Sequence, residues 1–178
     1  MPITDAKVCM LGAFAVGKTS LVRRFVTSQF SDQYHTTIGV KVDKKTQTVD
    51  GHSVNLILWD LYGEDDYQKL RLSYLRGASA YLLVLDGTRR TTLNVARQLQ
   101  RMAEDALGSV PFIVLANKAD LVDEWEVTQE ELDELVRPGW RLVTTSAKTG
   151  EGVEQAFQLL TESLIRSDRA NTSAPKAP

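Results

Sequence analysis

"KVCMLGAFAVGKTSLVRRFV", Lys7 to Val26, is the stretch that decides the architecture. Lys7–Gly12 is a near-continuous apolar run ending in glycine, the pattern of a strand buried on both faces. Lys18–Val26 places Leu21, Val22, Phe25 and Val26 on one helical face. Between them "GAFAVGKTS", Gly12–Ser20, has the spacing G-x-x-x-x-G-K-[ST]. Gly12 and Gly17 let the backbone curl so that successive N–H groups converge on phosphate oxygens, and the helix N-terminus adds its positive dipole end. Lys18 supplies a point charge and the Thr19 hydroxyl a ligand for Mg²⁺. At average glycine usage, an accidental match should occur in fewer than roughly one chain in a hundred. Demanding a strand before it and a helix after makes it rarer still. This is a phosphate site.

Working outward, a polar loop, Thr27–Thr37, leads to two strand-length runs, Val40–Val49 and Ser53–Asp60. Asp50-Gly51 joins them as a two-residue hairpin turn. Three more strands follow: Ala80–Asp86, Pro111–Asn117 and Arg141–Ala147. The helical pattern of Thr92–Leu107 should bury Ala96, Leu99, Met102, Ala103 and Ala106. Thr128–Val136 opens with Thr128 and Glu131 at capping-box spacing. The last helix, Gly152 to about Arg166, carries a stripe of Val153, Phe157, Leu160 and Leu164. Strands alternating with helices predict an α/β, Rossmann-like fold with a six-stranded, mostly parallel sheet, one antiparallel edge strand, and helices on both faces. One domain is expected over residues 1–169, with a disordered tail over 170–178.

Bulk properties narrow the function. Of 178 residues, 43% are hydrophobic and 25% charged, ordinary for a soluble protein. A net charge of −2 leaves no basic footprint for nucleic acid. No apolar run approaches the ~20 residues that span a bilayer, and the N-terminus lacks a signal-peptide pattern. A single cysteine, Cys9, excludes an intrachain disulfide and a cysteine-rich zinc site; within "VCML" it reads as core filler. His35 and His52 have no ligand pairing, and the acid-rich run Asp120–Glu134 reads as a solvated helix start. The expected compartment is the cytoplasm or the cytosolic face of a membrane.

"NKAD", Asn117–Asp120, follows a buried strand at the sheet edge where α/β proteins bind ligands. A carboxylate there accepts from guanine N1–H and its 2-amino group, and adenine has neither donor. Lys118 can lay its stem along the base. "SAK", Ser146–Lys148, follows the next strand and offers a backbone N–H to the guanine carbonyl.

With these motifs in this order, the chain resembles a small GTPase of the Ras superfamily, with a P-loop GTPase fold, to about Arg169. "TIGV" (Thr37–Val40), "WD" (Trp59-Asp60) and "SYLRGA" (Ser73–Ala78) make it most similar to the Rab branch. The resemblance implies a switch that binds GTP or GDP with Mg²⁺ and hydrolyses GTP slowly. It assigns the nucleotide to Ala13, Phe14, Ala15, Val16, Gly17, Lys18, Thr19 and Ser20, with Asn117, Lys118, Asp120, Leu121, Ser146, Ala147 and Lys148 around the base. Phe30 would pack edge-on against guanine and Tyr34 would close over the phosphates. Mg²⁺ would fall to Thr19, Thr37 and Asp60, and catalysis to Lys18, Thr37, Gly63 and Glu64. In "WDLYGEDDYQKL", Asp60 and Gly63 thus belong to the switch, while Asp65 and Asp66 read as solvated charges. Loss of the γ-phosphate would relax both switch loops.

Three features depart from the family pattern. Glu64 stands where glutamine is usual; its carboxylate accepts from water but cannot donate, and it repels phosphate. Whether hydrolysis falls or is maintained by base-like behaviour does not follow from sequence. Phe14 replaces a small residue, so its ring either crowds the γ-phosphate and any arginine finger, or points to solvent or onto a switch loop. Val42 replaces one aromatic of an effector-binding trio whose other members are Trp59 and Tyr74, expected on an exposed switch face, with partial burial under the switch loops compatible with that role. Output is expected through Gln33–Val42 and Asp60–Arg76, with an effector, an exchange factor and a GTPase-activating protein as partners of a monomer. No cysteine follows Cys9, so no lipid anchor is expected. Either a tail has been trimmed, or membranes are reached through a partner. Two rivals stay open: a guanine-nucleotide module with little hydrolysis, favoured by Phe14 and Glu64, and an ATP-using P-loop kinase, opposed by Asp120.

Overall fold

A computed structural model of the chain describes residues 4–31, 39–61 and 72–173. The apolar run extends to β1, Thr4–Gly12, and the following pattern forms α1, Lys18–Thr27. β2, Val40–Val49, and β3, His52–Leu61, form the hairpin; Asp50 and Gly51 take φ of 49° and 75°, as its two-residue turn requires. After the four-residue α2, Leu72–Leu75, come β4, Ala80–Asp86, and α3, Thr91–Leu107. Next are β5, Phe112–Asn117, and α4, Gln129–Val136, capped by the expected box of Thr128 and Glu131. β6, Leu142–Thr145, and α5, Val153–Ser173, complete the chain.

The sheet order is β2-β3-β1-β4-β5-β6, and every pairing is parallel except β2 with β3. The six-stranded mixed sheet is therefore as read from sequence. Alternate residues of each central strand face opposite cores. Ala6, Val8 and Met10 join Leu21, Phe25, Phe157 and Leu160 from α1 and α5. Cys9 and Leu11 join Leu93, Ala96, Leu99 and Leu132 from α3 and α4. Phe25 and Phe157 stack with centroids 3.7 Å apart, tying α1 to α5. Burial pushes the Cys9 thiol up to about 11, which suits core packing.

Some boundaries and faces differ from expectation. Thr27 closes α1 instead of opening the loop. Ala106 is exposed, and Met102 and Leu164 are only half-buried. α5 runs on through Ser173 rather than stopping near Arg166, so 170–173 are helical; 174–178 lie outside the described residues. Among the described residues, no helix is long and apolar enough to cross a membrane.

Candidate functional site

Every strand except β2 delivers the site at its C-terminal end. β1 ends at Gly12, β3 at Leu61, β4 at Asp86, β5 at Asn117 and β6 at Thr145, so the loops that follow share one rim of the sheet. The central position of β1 between β3 and β4 creates the crevice over which the phosphate loop curls.

Ala15 and Gly17 take left-handed φ of 59° and 104°. Backbone in this conformation forms a concavity of N–H groups suited to an anion. Gly17 has a second constraint, because a methyl there would overlap the Asn117 amide nitrogen. At Gly12 an added Cβ would lie 2.5 Å from the Val84 carbonyl oxygen. Val16 is fully buried, whereas Ala13, Phe14 and Ser20 are half-buried. Lys18 is 8% exposed and folds inward, with Nζ donating to the Gly12 and Ala13 carbonyls at 2.8 and 3.1 Å. Burial pushes its pKa down to about 8; Asp60 opposes that shift and Arg89 adds to it.

Thr19 Oγ1 donates to Asp60 Oδ2 at 2.5 Å, joining the first turn of α1 to β3. Asp60 is 1% exposed, and among the described residues its Oδ1 has no hydrogen-bond partner. Burial raises its pKa, against the Thr19 bond and the Lys18 charge. A buried carboxylate oxygen without a partner beside a hydroxyl is a hard oxygen donor set, and it fits Mg²⁺.

On the base side, Asn117 is buried. Its Nδ2 donates to Val16 O at 2.9 Å, and its Oδ1 accepts from Thr145 Oγ1 at 3.0 Å. It thus pins the phosphate loop to β5 and β6. Asp120 is exposed and accepts from Ser146 Oγ at 2.7 Å. Ser146 is itself fully buried and bound into the β6–α5 loop through Thr149 and Gly150. Arg24 on α1 donates to the Ala147 and Lys148 carbonyls at 2.8 and 2.5 Å, holding that loop from below. Leu121 is 37% exposed, in a 3₁₀ turn over Ala119–Glu124 that sequence periodicity had not revealed. Phe30 is half-buried against the α1–α5 core.

Several contributors were missed. Asp86 is fully buried yet ionic: it pairs with Lys118 Nζ at 2.9 Å and Arg89 Nε at 3.0 Å, and accepts from Thr88. Burial pushes its pKa up, but the bonds from Thr88, Lys118 and Arg89 together outweigh it and hold the carboxyl below the usual range. A carboxylate ending a fully apolar strand was the signal, since a buried charge requires partners.

The expected exposure of Tyr74 is not found. It is 5% exposed, and its hydroxyl donates to the Trp59 carbonyl. Trp59 is half-buried under Lys7, whose Nζ lies 3.9 Å from the ring centroid and donates to Tyr74 O and Arg76 O. Val40 and Val42 are exposed at 44% and 49%. Tyr34, His35, Thr37, Gly63, Glu64, Asp65 and Asp66 lie outside the described residues.

The sequence profile of the Ras family matches residues 7–166. The chain belongs to the Ras family, and is a GTP-binding small GTPase of Rab type. It is 34% identical to Ras-related protein Rab-4 of Dictyostelium discoideum over 166 residues, covering 92% of this chain and 81% of that protein. It is 32% identical to Ras-related protein Rab-13 of Bos taurus over 161 residues, 89% and 79% of the two chains. Rab-13 of Canis lupus familiaris is 31% identical over 176 residues, 97% of this chain and 87% of that one.

Proposed function

We propose that the chain is a slow, Mg²⁺-dependent GTP hydrolase whose nucleotide state controls partner binding. The observation that carries this reading is the wiring of the rim: Asn117 ties the phosphate loop to the strand that presents Asp120. The two ends of a guanine nucleotide would therefore meet one rigid frame.

In this reading the loop N–H groups and Lys18 hold the phosphates, and Asp120 and Ser146 select guanine over adenine. Thr19 and Asp60 hold Mg²⁺, joined by Thr37. When bound, the metal neutralises charge on the phosphates. In the family position, Glu64 would orient water only as an acceptor, and its negative charge would oppose the charge developing on the γ-phosphate. Partners, including an effector, an exchange factor and a GTPase-activating protein, would read the switch loops with Trp59, Val40 and Val42.

Phe14 and Glu64 favour a second reading, a GTP-binding module with almost no hydrolysis. Single-turnover hydrolysis by purified protein, with the co-purifying nucleotide identified, separates the two. Bound GDP and a slow measurable turnover support the first; bound GTP and no turnover support the second.

A further inference from the structure

Arg89 lies outside every motif that marks the site, yet it is built into it. It opens the turn before α3, and that turn is locked from several directions. Asp86 Oδ1 accepts from the Thr88 backbone N–H and hydroxyl at 2.9 and 2.7 Å. Thr92 Oγ1 meets Arg89 O at 2.7 Å and accepts from the Asp86 N–H at 2.9 Å. A side chain leaving so fixed a backbone needs little further ordering. Its guanidinium then forks: Nε donates to Asp86 Oδ2 at 3.0 Å and Nη2 to the Phe14 carbonyl at 2.7 Å. The same Asp86 oxygen takes Lys118 Nζ at 2.9 Å.

The result is a polar chain from the base loop to the phosphate loop: Lys118, Asp86, Arg89, Phe14 O. It complements the other tether, Asn117 Nδ2 to Val16 O at 2.9 Å, two residues further along the same loop. The loop is thus fastened on both sides of Ala15, the residue whose left-handed φ of 59° is unfavourable for a non-glycine. Held at both points, the strained turn has nowhere to relax.

We propose that Arg89 is a positioning residue for nucleotide retention, which fastens the phosphate loop at Phe14 and couples it through Asp86 to the base loop. This rests on the GTP-binding reading above and adds to it a determinant of how slowly nucleotide leaves. A lysine could supply the charge, but as a single ammonium it cannot reproduce the planar fork to both acceptors.

The test follows release of a fluorescent GDP from the full chain in Mg²⁺, with melting temperature measured alongside. Arg89→Ala should release GDP on the order of tenfold faster, with little change in association rate. Arg89→Lys should fall between alanine and wild type. Low concentrations of guanidinium should slow release from Arg89→Ala without affecting wild type, a rescue that a purely architectural role would not give. Wild-type release rates in Arg89→Ala, or in Arg89→Lys, would overturn the proposal. So would fast release that tracks a fallen melting temperature and is not rescued. If the wild-type chain bound no GDP at all, the GTP-binding reading itself would fail, a result distinct from any of these.

Discussion

The rim over β4, β5 and β6 and the edge strand β2 use polar residues in opposite ways. On the rim, Asp86, Asn117, Thr145 and Ser146 are at most 2% exposed, and each is hydrogen-bonded to another part of the site. On β2, only Val49 is buried; besides its backbone ladder to β3 the strand is fixed by Lys45, whose Nζ donates to the Phe25 carbonyl at 2.6 Å, while Val40 and Val42 lie in solvent. A polar group buried with partners has its position set before any ligand arrives, and removing one partner orphans the other. A side chain on an exposed edge strand carries no such obligation. The rim is therefore where stability and ligand geometry are coupled, and the exposed face of β2 around Val40 and Val42 is where surface chemistry can vary without disturbing either.

That contrast can be broken in four ways, from the largest effect to the smallest. Asp120→Asn keeps an acceptor for Ser146 Oγ but loses the carboxylate that would meet two guanine donors. GTP affinity should drop by about 10²–10³-fold with the melting temperature nearly unchanged, as titration calorimetry would report. Asn117→Ala strands Val16 O and Thr145 Oγ1, and should cost about 2–4 kcal/mol of stability in urea unfolding. An unchanged unfolding midpoint would mean that the tether is not structural.

Acid should act through Asp86. Because its folded pKa is depressed, its contribution is fully present above the ordinary aspartate value of about 3.9 and is lost as pH falls through the lower folded value. Wild type should therefore lose melting temperature more steeply than Asp86→Asn when pH is lowered below about 4. Parallel curves would remove Asp86 from the network. Last, Val42→Ser on the hairpin should change stability by no more than about 0.5 kcal/mol. A larger loss would show that the hairpin face is buried by contacts of its own.

Much of this was legible in the sequence wherever a short-range pattern carried it. The strand–loop–helix of Lys7–Val26, the Asp50-Gly51 turn and the Thr128 capping box each depend on neighbours within a few residues, so composition and spacing suffice. The Arg89–Phe14 and Arg24–Ala147 contacts span 75 and 123 residues, and nothing local announces them. α2 has only four residues, too few for a helical period to show. The end of α5 was missed because its last turns, Ser167–Ser173, carry no apolar stripe and only Arg169 and Ala170 among them are strong helix formers, so nothing local announces the continuation. Tyr74 was misjudged for a different reason. Its match to an effector-site aromatic read as exposed, but its hydroxyl donates to the Trp59 carbonyl, which lets the ring be buried.

The most direct measurement is a competition titration of the nucleotide-stripped protein with GTP, GDP and ATP in the presence of Mg²⁺. Tight binding of both guanine nucleotides, with ATP weaker by orders of magnitude, is the expected result. Equal or tighter binding of ATP, or binding of none of the three, would contradict the role given to the phosphate loop and Asp120.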